Sequence, residues 1–179
     1  MHNKNFIITG IQHWDIDIGS NCKNIARQMA RQNKVLYINP SVDRLALLKN
    51  KDDRALKSYR DAKSGTLKNP REVEPNLWVF TPEIVIESIN SLPVNGVFDI
   101  LNLYNNRKLA KEITRAAFQL KFDSYILFSD SDMFRSYHLK EMLKPELFIY
   151  YSRDNLLGVK YWQTQGLRME PRIMAKADA

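Results

Sequence analysis

Cysteine is almost absent from the chain, because Cys22 is the only one among 179 residues. A single thiol cannot form an internal disulfide, so a disulfide-stabilised scaffold is excluded, and a lone thiol is typical of a reducing compartment. No apolar run approaches the ~18–20 residues of a membrane-spanning helix, and the first residues lack the long apolar stretch of a secretory signal. We therefore expect a soluble, cytoplasmic protein.

Several familiar catalytic and nucleotide-binding motifs are also missing. Gly10 and Gly19 are too far apart for the GxGxxG dinucleotide fingerprint, and no Lys-Ser or Lys-Thr pair follows Gly19 as a P-loop requires. The sequence contains no G-x-S-x-G elbow, which a serine hydrolase of the α/β type would need. The three histidines, His2, His13 and His138, do not stand at metal-ligand spacing. These absences disfavour NAD, P-loop, serine-hydrolase and zinc chemistry.

What is present is the composition of an ordinary globular domain. The chain is 44% hydrophobic, 11% aromatic and 26% charged, which excludes collagen-like, low-complexity and disordered proteins. Its length suits one domain. A net charge of +7 favours anionic partners such as phosphates, nucleic acid or a lipid surface. Most of the excess positive charge lies in residues 44–71, which contain nine basic and three acidic residues.

Short apolar runs alternate with helical patterns along the chain, which predicts βαβ units. The runs are nearly continuous, as expected for parallel strands that are covered on both faces. We therefore predict an α/β fold, a three-layer Rossmann-like domain with a mainly parallel sheet. The predicted strands are residues 6–9, 35–38, 77–80, 98–101, 125–128 and 147–151.

Helical periodicity predicts the elements that cover this sheet. The first helix follows Ser20 as its N-cap, and a second follows Asn105 or Asn106. A third is expected at residues 133–143 with Asp132 as its cap, and a last one follows Pro171. Residues 45–59 predict a basic amphipathic helical excursion, for which a solvated helix over the sheet edge is the simpler alternative.

The loop after the first strand carries the strongest candidate for a binding site, since ligands of open parallel sheets bind beyond the carboxyl ends of the strands. Gly10 permits a tight exit from the strand. Gly19, Ser20 and Asn21 then place backbone N–H groups at a helix N-terminus, which suits a phosphate or carboxylate.

The same loop contains His13, Trp14 and Asp15, which are costly to expose on a purely structural turn. Histidine is the side chain best suited to proton transfer near neutral pH, so His13 is a catalytic candidate together with Asp15. The alternative is structural: Trp14 packs the loop onto the core, and His13 lies on the surface.

Two later loops add polar candidates. The pairs Asp15/Asp17 and Asp130/Asp132 form DxD patterns that can hold a divalent cation, but such triplets are frequent by chance, and we predict no metal site. After the last strand, Arg153 offers two parallel hydrogen bonds to a phosphate or carboxylate. Asp154 offers an acceptor for a sugar hydroxyl, unless the two residues simply stabilise their turn.

Two parts of the sequence resemble the opening of bacterial GT-B glycosyltransferases. Residues 6–10 and 13–15 are similar to the first strand and the Trp-Asp loop of that family. Residues 24–40 resemble its first helix, the basic turn that follows, and a strand closing on a Val-Leu-Tyr-Val-x-Pro type sequence.

The end of the chain carries a second part of this resemblance. Residues 149–154 are similar to the family's strand and acidic loop, and Glu170 with Asp178 resembles a helix with a Glu-x7-Asp ending. The chain departs from the pattern at Ser152 and Arg153, where relatives often carry Asp-Asp or Cys-Asp.

The resemblance implies the acceptor-side half of a GT-B glycosyltransferase of the family 1/4-like type. Residues 1–179 would form a single N-terminal domain, and the donor-binding C-terminal domain would be absent, leaving this domain inactive alone. The substrates would be a nucleotide sugar and a glycan or lipid-linked acceptor in polysaccharide or glycoconjugate synthesis, with no metal or other cofactor required.

The resemblance also assigns roles to the candidate residues. His13 or Asp15 would orient or deprotonate an acceptor hydroxyl. The helix end at residues 19–21 would lie near the donor phosphates, and Arg153 with Asp154 would line the floor of the cleft. Trp14 and Asp130 would add contacts to the substrates.

Other functions remain open at this stage. A GT-B epimerase of nucleotide sugars would need no acceptor, and a metal-dependent GT-A transferase would use Asp130 and Asp132. A non-catalytic basic α/β binding module is the third alternative, although no nucleic-acid-binding motif accompanies the basic segment and no nucleic acid partner is expected. Residues 44–71 offer a peripheral contact with an anionic membrane.

Overall fold

A six-stranded sheet organises the fold in a computed structural model that describes residues 1–16, 19–49, 54–153 and 155–179. The strands are β1 (Asn5–Gly10), β2 (Lys34–Ile38), β3 (Val42–Asp43), β4 (Arg71–Glu74), β5 (Leu77–Phe80), β6 (Val85–Ile86), β7 (Ile126–Asp130) and β8 (Leu147–Tyr151). The helices are α1 (Asn21–Ala30), α2 (Arg44–Lys49), α3 (Arg54–Lys63), α4 (Asn95–Gln119), α5 (Leu139–Leu143) and α6 (Lys160–Lys176), with a 3-10 turn at Leu156–Gly158.

The strand order of the sheet is β4-β5-β2-β1-β7-β8, and all neighbours are parallel except β4 and β5. Strands β3 and β6 form a separate two-stranded parallel sheet. The chain builds outward from β1 to β2 and β5, and α4 then carries it across to β7 and β8. The direction of winding therefore reverses between β1 and β7, which creates a topological switch point at their carboxyl ends. The mostly parallel α/β fold is confirmed, and the strand order is compatible with a Rossmann-like domain.

Helix α1 packs on one face of the sheet, as its sequence pattern predicts. The Ser20 side chain accepts the backbone N–H of Lys23 at 3.2 Å, so Ser20 is the N-cap. Cys22 and Ala26 are buried on its inner side. They join a core cluster with strand residues that share this face: Phe6, Ile8, Val35, Tyr37, Leu77, Val79, Ile126 and Phe128.

Helix α4 packs on the opposite face through Phe98, Leu109 and Ile113. Helix α6 contributes Met169 and Ile173 to the same cluster, and both are almost fully buried. The strand residues in this cluster are those whose side chains alternate with the first set: Ile7, Leu36, Ile38, Phe80, Leu127, Phe148 and Tyr150. This face holds the larger of the two main cores.

The predicted strand at residues 98–101 is wrong, because these residues lie inside α4. The helix predicted after Asn105 or Asn106 in fact begins at Asn95. The reason is that Asn102, Asn105 and Asn106 occupy buried positions on the helix. Apolar side chains at these positions would have continued the 3.6-residue apolar period of a helix. Because the three residues are polar, the sequence pattern did not indicate the first part of α4.

The last helix also begins earlier than predicted, because α6 starts at Lys160 and Pro171 lies inside it. A proline in a helix interior removes one backbone hydrogen bond. Met169 and Ile173 are buried on either side of Pro171, and their packing holds the helix through that position. Tertiary packing therefore outweighs the local preference of proline for the first turn of a helix.

The helix predicted at residues 133–143 is shorter than expected. Residues 133–138 form turns, and only α5 is α-helical. Asp132 nevertheless caps the first turn, since its Oδ1 accepts the backbone N–H of Arg135 at 3.2 Å.

Helix α6 approaches the preceding 3-10 turn closely at Gly166. A Cβ atom on this glycine would lie 2.6 Å from Cδ2 of Leu157 and 3.1 Å from Sδ of Met133. The ends of the Leu157 and Met133 side chains therefore occupy space that a larger residue at position 166 would need.

The basic segment forms two helices, α2 and α3, and residues 50–53 between them lie outside the described residues. Leu56 and Tyr59 of α3 are buried against Val42, as the predicted stripe requires. Leu45 and Leu48 of α2 are exposed. The apolar stripe predicted over residues 45–59 is therefore buried only in its second half.

The outer edge of β8 is hydrogen-bonded to the last residues of the chain. Asp178 donates its backbone N–H to the carbonyl of Phe148 at 2.8 Å, and the N–H of Tyr150 donates to the carbonyl of Ala179 at 2.9 Å. Within the described ranges, none of the helices combines the length and the apolar character that crossing a lipid bilayer requires.

Candidate functional site

The loops that follow β1, β7 and β8 begin side by side at the switch point. Gly10, the last residue of β1, lies opposite Asp130 in the strand register, and Asp130 lies opposite Tyr151. A Cβ atom on Gly10 would lie 3.3 Å from Sγ of Cys22, so glycine permits this close approach. Burial and then the Asp130 carboxylate raise the pKa of Cys22 to about 12, which keeps the thiol protonated at neutral pH.

His13 is buried, with 3% of its surface exposed, so a surface position for this residue is wrong. Its Nδ1 accepts the backbone N–H of Asp15 at 3.2 Å and lies 3.7 Å from Oδ2 of the same residue. A neutral imidazole that accepts through Nδ1 carries its hydrogen on Nε2. In this geometry His13 is suited to donate a hydrogen bond rather than to remove a proton through Nε2.

The carboxylate of Asp15 is bound by side chains from the basic segment. Its Oδ1 forms an ion pair with Arg71 of β4, and its Oδ2 accepts the hydroxyl of Ser58 at 3.4 Å. Arg54 also donates to the Asp15 backbone carbonyl at 3.1 Å. The arrangement positions Asp15 beside His13 and connects the first loop to α3 and β4. Asp17, the second acid of this loop, lies outside the described residues.

Trp14 packs onto the core, as the structural alternative proposed. Its ring meets that of Tyr37 edge to face at 5.1 Å, and the guanidinium of Arg27 lies 5.1 Å from the ring centre. Its backbone N–H donates to Oδ1 of Asn39 at 2.8 Å. Trp14 therefore holds the first loop against β2 and α1.

The predicted phosphate site at the start of α1 is a helix N-terminus that Ser20 caps. Gly19 and Asn21 are exposed, and the hydroxyl of Ser20 is engaged by the backbone N–H of Lys23. The ammonium of Lys23 donates to the carbonyl of Ile16, so this lysine links the loop to the helix. The role of residues 19–21 in binding phosphate stays a prediction.

The structure brings together Asp130 and Arg153, two of the predicted site residues. Asp130 is 1% exposed, and Arg153 donates Nε to Oδ1 and Nη2 to Oδ2, each at 3.2 Å. The two-pronged geometry predicted for Arg153 is thus present, with a carboxylate of the same chain as its acceptor. Asp154 lies outside the described residues, so its predicted role and its predicted pairing with Arg153 stay predictions.

Asp132 forms a second buried pair, with Arg135. Nε of Arg135 lies 2.9 Å from Oδ2 of Asp132, and its Nη2 donates to the carbonyl of Gly10 at 3.5 Å. Burial raises the pKa of Asp132 despite the neighbouring guanidinium. Both acids of the second DxD pattern therefore face an arginine, and the described parts of the chain contain no group of three His, Cys, Asp or Glu residues that could hold a metal ion.

A cavity of about 210 Å³ opens beside these pairs. It lies between the β3–β6 pair, the first half of α4 and the start of α6. A smaller void of about 10 Å³ is bordered by Gly10 of β1 and shares Ser41, Asp132 and Arg135 with the cavity. The cavity therefore lies next to the predicted site.

Two residues that line the cavity each carry a buried polar atom that has no hydrogen-bond partner among the described residues. These atoms are Oγ of Ser41 and Nδ2 of Asn102, whose residues are 8% and 1% exposed. The neighbouring Asn105 is paired twice with the backbone of Glu87, at 2.8 and 2.9 Å, and so holds β6 in place. More than 90% of buried polar groups in proteins have a partner, so two orphans in one cavity are unusual.

Aromatic side chains form the outer wall of the cavity. Tyr161 and Trp162 stand at the start of α6, and Trp162 packs on Phe134 with a ring separation of 5.5 Å. A second hollow of about 230 Å³ adjoins the cavity and shares with it Asp43, Ser88, Asn90 and Tyr161.

The sequence did not identify these cavity residues. The one signal was the cluster of Asn102, Asn105 and Asn106 inside an otherwise apolar helical stretch. Ser41 and Trp162 belong to no recognisable motif.

Comparison of the chain with models of known protein families, with curated proteins and with solved structures finds no match.

Proposed function

We propose that this chain is the acceptor-side domain of a GT-B glycosyltransferase, a three-layer Rossmann-like half that works opposite a donor-binding C-terminal domain. The observation that carries the proposal is the meeting of the β1, β7 and β8 loops at the switch point, beside a cavity that reaches into the domain. The loops supply a buried imidazole, while the cavity supplies polar groups and aromatic surface for a glycan.

The proposed reaction transfers a sugar from a nucleotide sugar to a glycan or lipid-linked acceptor in polysaccharide or glycoconjugate synthesis. The nucleotide sugar is a substrate, and the proposal includes no further cofactor. His13, oriented by Asp15, has a buried Nε2 and would stabilise the reacting groups from below the surface of the first loop. The ion pairs of Asp130 and Asp132 would hold the floor of the cleft rigid.

An activity assay on the whole natural gene product tests this proposal. The protein is incubated with a panel of nucleotide sugars and with glycan and lipid-linked acceptors, and release of the nucleoside diphosphate is measured. We expect acceptor-dependent release, and a loss of ~10²-fold or more in turnover for His13→Ala. His2→Ala is the matched control, because His2 is exposed and precedes β1, whereas the loop follows the other end of that strand.

Three outcomes would contradict the proposal. The first is no nucleotide release from any nucleotide sugar. The second is release that does not depend on an acceptor and leaves an isomerised nucleotide sugar, which would indicate an epimerase. The third is equal turnover of the His13→Ala and His2→Ala variants, which would remove His13 from the mechanism.

The place of action proposed is the cytoplasm, with a peripheral membrane contact through the basic helices α2 and α3. Exposed Leu45 and Leu48 on α2 lie beside Lys49, a combination suited to an anionic lipid surface, whereas Arg44 is paired with Glu87. Binding to anionic vesicles should weaken as salt is raised, and binding that is independent of salt would contradict this contact.

A further inference from the structure

We infer that the cavity at Ser41 and Asn102 binds one neutral sugar ring, the terminal residue of the acceptor. The identification of the sugar as part of an acceptor rests on the proposed function, whereas the binding of a sugar rests on the cavity itself. Each property of the cavity, from its unpaired atoms to its size, charge and walls, selects among classes of ligand.

The unpaired atoms show what the ligand must offer. Nδ2 of Asn102 is a donor, and the hydroxyl of Ser41 can donate or accept. Among the described residues neither atom has a partner, although both side chains are more than nine-tenths buried. A ligand rich in hydroxyl groups supplies both an acceptor for the amide and a partner of either kind for Ser41.

The size of the cavity excludes larger ligands from this compartment. A volume of about 210 Å³ corresponds to roughly seven water molecules at ~30 Å³ each. Pockets for drug-sized ligands begin at ~300 Å³, and a nucleotide belongs to that class. A single hexose ring is the scale of ligand that the compartment can enclose.

The charges around the cavity favour a neutral ligand. Three carboxyl groups line it, those of Asp43, Glu87 and Asp132, against the single guanidinium of Arg135. Arg135 is already paired with Asp132 at 2.9 Å, and Glu87 is paired with Arg44, so neither guanidinium is available to an anion and Asp43 adds negative charge. A phosphate would therefore meet more negative than positive charge, whereas sugar hydroxyls can donate to these carboxylates.

The walls of the cavity match the two characters of a sugar ring. The polar floor at Ser41 and Asn102 faces hydroxyl groups, and the rings of Tyr161 and Trp162 offer apolar surface for the C–H groups. The adjoining hollow, which is lined in part by Leu45, Ala46 and Lys49, provides space for the group attached to the sugar ring.

Glycoside binding measured by NMR tests the inference directly. The side-chain amide signals of Asn102 and the indole signal of Trp162 are followed while methyl glucoside, methyl galactoside or methyl mannoside is added to the chain. We expect at least one of these glycosides to shift both signals in a saturable way.

Two variants and a matched control locate the site. Ser41→Ala and Asn102→Asp should each weaken binding about tenfold, because Ser41→Ala removes the hydroxyl and Asn102→Asp replaces the amide donor by an acceptor and adds a negative charge. Ser129→Ala is the control: its buried hydroxyl has no partner among the described residues, but Ser129 does not line the cavity. Its affinity should equal that of the unaltered chain. Thermal melting measures whether each variant is folded. If Asn102→Asp does not fold, Ser41→Ala alone tests the site.

Several results would overturn the inference. These are the absence of any saturable shift with all three glycosides, equal loss of affinity in Ser129→Ala and Ser41→Ala, or tighter binding of inorganic phosphate or uridine monophosphate at the same signals. Glycoside binding in a protein that transfers no sugar would leave the sugar site standing and reject the proposed function. Sugar transfer that Ser41→Ala and Asn102→Asp do not impair would reject the site and leave the function.

Discussion

The two ends of the parallel sheet differ in how their polar groups are satisfied. At the amino end, a hollow of about 350 Å³ is bordered by residues 3–5, 31–34 and Asn76. There Asn33 accepts the backbone N–H of Lys4 at 3.0 Å and donates to the carbonyl of Met29 at 3.0 Å. At the carboxyl end the cavity is smaller, yet Ser41 and Asn102 have buried atoms without a partner among the described residues.

The same contrast holds for charged pairs. Lys4 and Glu146 at the amino end are each nearly half exposed, with 47% and 44% of their side-chain surfaces open to water. Asp130 at the carboxyl end is 1% exposed beneath Arg153. The two ends are therefore not distinguished by the size of their hollows. The distinguishing features are buried charges and unsatisfied polar atoms, which a structure retains at a cost in stability.

The largest expected effect comes from breaking the buried ion pair. Arg153→Met leaves the carboxylate of Asp130 buried and unpaired, so the free energy of unfolding should fall by about 3–5 kcal/mol. Lys4→Met breaks an exposed pair and should cause no measurable loss. Urea unfolding of both variants makes the comparison, and equal losses would show that the two ends do not differ in this respect.

A smaller effect distinguishes the uncharged polar groups. Asn33→Ala removes partners from Lys4 and Met29 and should cost about 1–3 kcal/mol in the free energy of unfolding. Ser41→Ala without ligand should change it by less than about 0.5 kcal/mol, because the hydroxyl has no partner to lose among the described residues. Chemical denaturation measures both. A large loss in Ser41→Ala would mean that its hydroxyl is satisfied within the protein, for example by a buried water.

The smallest effect is a difference in pH dependence. Burial raises the pKa of Asp132 in the folded chain, so its contribution to stability is complete below pH 3.8 and is lost as pH rises through the folded pKa. The Ser124 hydrogen bond and then Lys4 lower the pKa of Glu146, so its contribution is present above pH 4.5 and is lost as pH falls through the folded pKa.

Comparison of the unaltered chain with Asp132→Asn and Glu146→Gln isolates these two groups. The stability difference from Asp132→Asn should fall with rising pH, and that from Glu146→Gln should rise. Unfolding curves between pH 3 and 7 give both slopes. Slopes of the same sign would contradict the opposite environments of the two carboxyl groups.

The sequence predicts most of the sheet, because strands covered on both faces must be apolar along their whole length. Five of the six predicted strands are present in the structure, among them residues 77–80 and 147–151. Helix α1 was predictable from Ser20 and its apolar face. Helix α4 was not, since Asn102 and Asn105 break the apolar pattern for reasons that only the folded cavity reveals.

The site divides in the same way. The location of the loops follows from the rule that ligands bind beyond the carboxyl ends of parallel strands, so Gly10, Asp130 and Arg153 could be selected from sequence. The ion pair between Asp130 and Arg153 could not be predicted, because it joins two loops through the register of β7 and β8. Ser41 and Trp162 meet in one cavity although a long stretch of chain separates them, and no local pattern reports such a meeting.

Gly166 does not line the cavity, but its neighbours support the aromatic wall. A Cβ atom there would meet the ends of two flexible side chains, Leu157 and Met133, and both would have to shift. Met133 precedes Phe134, whose ring packs on Trp162 at 5.5 Å. A substitution at Gly166 would therefore reach the cavity wall through its neighbours, although every lining residue stayed the same.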